Sequence, residues 1–282
     1  MRLTDQIFYR KLYFSIPMKE APSLREVYAV LIKGEKNILF DCGVSYHYPD
    51  IVCLAAEAGL TLADIDALVF SHCHADHTGG AAKLKAENPR MEIWASPLCR
   101  PMVEDIDLQF KLRPVAAFYT TMGGPVKVDR ELKDGEIIDV GFPVEVLYTP
   151  GHSAGSISLY LPEQKTLLTG DAIPYVRDLP IYDDLAAEKA SLEKLRARSA
   201  DVIVSAFCGP WDQKKQGDVF AVTDDYLALV QSAVDTFLRE HPDEPIEAMG
   251  RYVIGELGLD ALPIPIFLTS LKEHIKVSKE RN

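Results

Sequence analysis

Short apolar runs separated by turn-forming residues fill the first two thirds of the chain, and longer helical periods fill the last third. Residues 27–33 and 37–41 read as two strands meeting at Gly34-Glu35-Lys36, a hairpin in sequence terms. Residues 51–59 have the spacing of a short helix, and the apolar run 67–70 leads straight into Ser71-His72. After Gly79-Gly80 a helical period covers 81–87 and stops at Asn88-Pro89, and 91–95 returns as a strand. Residues 97–122 are helical in period but broken by Pro101 and Pro114, which predicts a lid or cap between two strand-rich halves. Strands resume over 137–140, 144–148, 157–161 and 166–169, then an amphipathic helix over 185–198 and a buried strand over 201–205. From Phe220 the pattern is helical (222–239, 246–257, 266–276), with breaks at His241-Pro242 and Leu262-Pro263. Two strand-rich halves, each closed by helices, predict an α/β (α+β) sandwich with helices on the outer faces. The expected division is a main domain over 1–217, with the cap inside it, and a helical C-terminal extension over 218–282 packed on it.

Charge narrows the partners. Lys and Arg number 30 against 42 Asp and Glu, a net charge of −12. No basic stripe is available to release phosphate counterions, so nucleic acid and anionic membrane are excluded as main partners. The same acidity disfavours strongly anionic substrates. No apolar run approaches the ~18 residues of a membrane span. Charges at Arg2, Asp5, Arg10 and Lys11 break the start of the chain, so no export signal is expected there. Cys42, Cys53, Cys73, Cys99 and Cys208 are odd in number and irregularly spaced, which reads as reduced thiols in a cytoplasmic protein. The expected partner is a small-molecule substrate, and a homodimer stays open.

Candidate chemistry concentrates in His72-Cys73-His74-Ala75-Asp76-His77, which holds three of the seven histidines. The cluster follows a buried strand and precedes Thr78-Gly79-Gly80 and a helix, a strand-to-helix loop of the kind that presents ligands from a rigid scaffold. Imidazoles and a carboxylate suit a borderline divalent ion such as zinc. In an extended loop His72 and His74 leave on the same side and can share one ion. Asp76 and His77 come after the chain has begun to turn and can face a second. The bland alternative is a polar loop whose histidines cap the following helix. Cys73, between the histidines, should point into the core as a small hydrophobe.

His-X-His-X-Asp-His after a buried strand resembles the metallo-β-lactamase superfamily, and three further stretches agree in order. Leu39-Phe40-Asp41-Cys42-Gly43 resembles the family's early strand ending in Asp-Thr-Gly, with Cys42 in the Thr place. Thr149-Pro150-Gly151-His152-Ser153-Ala154-Gly155-Ser156 resembles the turn that supplies a third histidine, and Leu168-Thr169-Gly170-Asp171 the strand whose carboxylate bridges two metals. The resemblance covers about residues 27–210 and implies a four-layered αββα sandwich with metals at one edge. It implies His72, His74 and His152 on one ion, Asp76 and His77 on another, Asp171 between them, and Asp41 orienting the loop without binding.

The family's last histidine is missing. Counting forward from the strand 201–205 puts Phe207 in its place; counting back from Gly209-Pro210 puts Cys208 there. Phe cannot ligate, whereas a Cys thiolate can. Three readings stand: Cys208 replaces the histidine, one ion is held firmly and the second weakly, or His241 or His274 fills the gap. Both of these histidines, and His47, otherwise read as surface residues. The resemblance implies zinc, one or two ions per chain, with iron or manganese as alternatives. The implied activity is a metal-dependent hydrolase using a metal-bound hydroxide on an ester, lactone, thioester or related acyl bond. Asp76 would orient the nucleophile and pass its proton to the leaving group. Tyr175, near the place of a tyrosine in lactonases of the superfamily, would bond the oxyanion. The helical tail resembles the layout of glyoxalase-II-like thioesterases. Phe110, Phe118, Tyr119 and Tyr182 would line an apolar pocket or pack the cap. Two further readings are a mononuclear non-haem iron enzyme like the persulfide dioxygenases, using His72, His152 and Asp171, and a non-catalytic metal-binding member.

Overall fold

The computed structural model describes residues 1–17, 23–174, 176 and 178–281. Among these residues twelve strands form two six-stranded sheets. The first contains β1 (Ile7–Ile16), β2 (Ser23–Ile32), β3 (Ile38–Phe40), β4 (Ala67–Val69), β5 (Glu92–Ala95) and β6 (Arg130–Glu131), adjacent in that order. The second contains β7 (Ile137–Asp139), β8 (Pro143–Tyr148), β9 (Ile157–Leu161), β10 (Thr166–Gly170), β11 (Val202–Ser205) and β12 (Gly209–Asp212), again adjacent in order. Each sheet mixes antiparallel hairpins with parallel pairs: β3, β4, β5 and β6 run parallel, as do β10 and β11.

Strand alternation builds the layers, because successive side chains leave on opposite faces. Ile38 and Phe40 of β3 and Ala67 and Val69 of β4 enter a core shared with Val144, Val146, Leu168 and Val204 of the second sheet. The residues between them, Leu39 and Leu68, face the opposite way, into a second core with Ile51, Leu54 and Leu84. Ile51 and Leu54 lie on α1 (Tyr48–Glu57); Leu84 lies on α3 (Ala81–Glu87), which follows the one-turn helix α2 (Ala75–Thr78). On the far side Leu147, Leu167 and Ile203 pack against Leu185, Leu192 and Leu195 of α7 (Leu185–Arg196). The outcome is helix, sheet, sheet, helix, as the alternation and the resemblance both implied.

Between β5 and β6 the chain forms α4 (Arg100–Glu104), α5 (Ile106–Leu112) and α6 (Phe118–Thr121). Pro101 does not break this segment; it sits in the first turn of α4, where its missing N–H is not needed. The break falls at Asp105, whose side chain caps α5. Phe110, Phe118 and Tyr119 stack on one another with centroids 5.1–5.4 Å apart, and Phe118 packs on Ala75 of α2. After β12 come α8 (Gln213–Gln216), α9 (Val219–Glu240), α10 (Ile246–Glu256) and α11 (Pro265–Arg281). The last three share an apolar cluster with Leu179 and Ile181. Among the described residues no helix is long and apolar enough to cross a membrane.

Candidate metal centre

The loop after β4 is fixed from below by Asp41. This residue follows β3 with φ +60°, a left-handed conformation that Asp adopts more readily than most residues. Its amide donates to the Val69 carbonyl at 3.0 Å, its Oδ1 accepts from the Ser71 amide at 2.8 Å, and its Oδ2 lies 2.8 Å from His77 Nδ1. One carboxylate therefore ties the ends of two parallel strands to the ring of His77.

Above it three imidazoles converge. His72 Nε2 is 2.8 Å from His74 Nδ1, and His152 Nε2 is 3.0 Å from the same atom. Asp171, just past β10, places Oδ2 at 3.2 Å from His152 Nε2 and 3.7 Å from His72 Nε2. Its Oδ1 lies 3.2 Å from His77 Nε2, which is also 3.8 Å from Asp76 Oδ2. The ligand atoms of His72, His74, His152 and Asp171 all fall within 4.8 Å of one another. Gly151 is what lets His152 reach this point. Its φ is +142°, and a Cβ there would collide with the carboxyl and backbone of Glu188.

The protonation states ask for a cation. Burial holds His72, His74 and His152 below the usual imidazole range, so they are neutral at pH 7. His152 Nδ1 donates to the Ile181 carbonyl at 2.8 Å, which leaves the lone pair on Nε2. That lone pair faces a carboxylate oxygen, acceptor against acceptor. His77 Nε2 and Asp171 Oδ1, buried and 3.2 Å apart, form no well-aligned hydrogen bond with each other or with a third group. A divalent ion satisfies such a donor set, so the residues fit a metal. Without an ion His77 takes a proton: burial opposes its protonation, but Asp171, Asp41 and Asp76 raise it well above the usual range, and a cation at Nε2 would have to displace that proton.

The other sequence candidates are placed as follows. Cys208 lies outside the convergent set; its thiol bonds toward Ser205, and burial raises it, so it stays protonated. Phe207 packs against the first-sheet core, with the Arg25 guanidinium 5.4 Å from its ring centroid. His241 is exposed. His274 and His47 are not surface residues: His274 is enclosed by Tyr182 and Gln231, and His47 takes the Val44 amide and the Tyr13 carbonyl. Tyr182 is fully buried, with its hydroxyl on His274. Cys73 packs partly into the core, as expected. Tyr175 lies outside the described residues.

Sequence reasoning missed four contributors. Ser71 accepts or donates at 2.9 Å to His72 Nδ1, and its position directly before the cluster was the available signal. Ile181 acts through its carbonyl, which no side chain announces. Glu188 is fully buried behind Gly151 with its carboxyl raised well above the usual range by burial, hence neutral. Arg113, at the end of α5, pairs with Asp183 at 3.1 Å and adds positive charge beside the three imidazoles. With Arg25, whose charge reaches Asp76 and Asp171, it makes the field at the centre differ from the −12 of the whole chain.

A mixed two-sheet αββα sandwich with a histidine–aspartate cluster at the strand ends defines a metal-binding type of α/β fold. Residues 23–206 match the model of the metallo-beta-lactamase superfamily, and the chain belongs to it. It is 29% identical over 184 residues to a hydroxyacylglutathione hydrolase from Brucella anthropi, covering 64% of this chain and 60% of that protein. A metallo-beta-lactamase family protein from Thermus thermophilus superposes with a TM-score of 0.70 at 18% identity, covering 96% of this chain and 93% of the other. A metallo-beta-lactamase from Pseudomonas aeruginosa in a mono-zinc form gives a TM-score of 0.61 at 18% identity, covering 80% and 93%.

Proposed function

We infer that the chain is a zinc-dependent hydrolase of acyl bonds, with thioesters the first class to test. The observation that carries this is the convergence of three neutral imidazoles and Asp171 on one point. The relative from Brucella anthropi, a hydroxyacylglutathione hydrolase, supports the thioester class, and the mono-zinc neighbour supports the metal. His72, His74, His152 and Asp171 would hold one ion. Asp76, His77 and the other oxygen of Asp171 would serve a second.

A bound zinc ion supplies Lewis acidity and brings the ionisation of water near neutral pH. The chain's own residues do the rest. The Ile181 carbonyl keeps the proton of His152 on Nδ1, so that Nε2 presents a lone pair. Asp41 aims His77. The carboxylate of Asp76, with its side chain 23% exposed, is the group able to exchange a proton between the centre and a departing thiol or alcohol.

Metal analysis of protein dialysed against zinc, combined with a panel of thioester, lactone and β-lactam substrates, tests the proposal. The native chain should retain at least one zinc and turn over one substrate class. His152→Ala should lose that zinc, and Asp76→Asn should keep it while kcat drops by about 100-fold or more. A native chain without bound divalent metal, or a His152→Ala variant as active as the native chain, would refute it.

A further inference from the structure

We propose that Ser270 and His274, on α11 some distance along the chain from the cluster, are positioning residues for His152. The proposal rests on the metal-centre reading above and assigns the C-terminal helices a part in it.

The connection is a short series of bonds. His152 Nδ1 donates to the Ile181 carbonyl at 2.8 Å. The next residue, Tyr182, is clamped to α11 by a reciprocal pair: its amide donates to Ser270 Oγ at 2.9 Å, and Ser270 Oγ donates to its carbonyl at 2.9 Å. One hydroxyl thus satisfies both backbone groups of Tyr182, as a neighbouring strand would. At the other end of the side chain the Tyr182 hydroxyl bonds His274 Nε2, and His274 Nδ1 is 2.7 Å from Gln231 Oε1 on α9. The pattern fixes a neutral His274 that accepts from the tyrosine and donates to the glutamine. Leu179 and Ile181 sink into the cluster made by α9, α10 and α11. The Asp183 amide returns to the Gly151 carbonyl at 2.8 Å, so the loop touches the turn of His152 a second time.

The carbonyl that sets the tautomer and tilt of His152 therefore takes its own position from the C-terminal helices. Groups that bond a ligand directly change metal affinity by about 10–100-fold when removed, and a support one step further out should act at the lower end of that range. A purely structural role would change stability alone, and the two are separable by comparison with a core truncation in the same helices. Val253 on α10 is fully buried in that cluster.

The experiment measures zinc dissociation constants, by chelator competition, for the native chain, Ser270→Ala, Tyr182→Phe and Val253→Ala, with thermal midpoints for each. Ser270→Ala and Tyr182→Phe should bind zinc about tenfold more weakly and shift the absorption bands of the cobalt-loaded protein. Val253→Ala should stay within about twofold of native affinity while lowering the midpoint at least as much, and Ser270→Thr should recover native affinity. If Ser270→Ala does not fold, Tyr182→Phe carries the test, since it removes one hydroxyl and no bulk. Native zinc affinity in folded Ser270→Ala and Tyr182→Phe, or an equal loss in Val253→Ala, overturns the proposal and leaves the metal-centre reading intact. Absence of zinc binding by the native chain overturns both.

Discussion

Asp41 shows how much one residue holds at this centre. Its two oxygens serve the Ser71 amide and His77 Nδ1, each at 2.8 Å, from a left-handed backbone position. Asn tolerates that backbone and keeps one acceptor oxygen but carries no charge. Asp41→Asn should therefore fold, with a 10–100-fold loss in metal affinity or kcat/KM. Asp41→Ala adds the cost of a Cβ-bearing residue without a local hydrogen bond at positive φ, about 1–2 kcal/mol of stability. Metal content after dialysis and denaturant midpoints separate the two variants; native metal retention in Asp41→Asn would deny the charge its role. The ligands themselves were readable because imidazoles and carboxylates declare their chemistry in sequence. The Ile181 carbonyl was not, since a backbone acceptor has no residue identity. His274 and His47 misled for the converse reason: a lone histidine in a polar stretch gives no sign that tertiary packing will bury it.

At the scale of elements, the start of α7 carries the loop that serves His152. Asp184 caps this helix by accepting from the Ala187 amide at 2.9 Å, and Asp183, one residue earlier, holds the Gly151 carbonyl. Asp184→Ala should cost about 1 kcal/mol, as cap removal does. For a chain of this size that is a fall in Tm of about 2–4 °C. Because the cap faces the helix and not the ring, zinc affinity should change less than in Ser270→Ala. The helix itself was legible from its apolar period, as were β3, β4, β10 and β11, whose short apolar runs sit between turn residues. The strand β1 was not: Arg10, Lys11 and Ser15 interrupt it, and it becomes a strand by pairing along its whole length with β2. Edge strands tolerate such polar faces, so pattern alone undervalues them. Cap helices were legible as helices, but Pro101 was misread as a break because its value depends on which turn it occupies.

On the scale of the whole molecule, burial of neutral histidines makes stability depend on pH in a defined direction. His274 is lowered to about 4, chiefly by burial, with Lys189 adding to the effect. In the unfolded chain its pKa returns to about 6.5. Below that value the unfolded state binds a proton the folded state refuses, so ∂ΔG/∂pH is positive and stability falls as the pH drops from about 6.5 toward 4. A shift of this size corresponds to about 3 kcal/mol at most. His72, His74 and His152 act in the same sense, and protons compete there with any bound ion, so acid should also release metal. Urea denaturation of chelator-treated protein isolates the His274 part, because His274→Gln keeps polar volume and removes the titration. The native chain should lose stability between pH 6.5 and 4 more steeply than His274→Gln. If the two curves run parallel, the folded His274 ring takes up a proton as readily as the unfolded one, and in acid its Nε2 would donate to the Tyr182 hydroxyl. That outcome would also reverse the direction of the bond through which α11 holds the loop of His152.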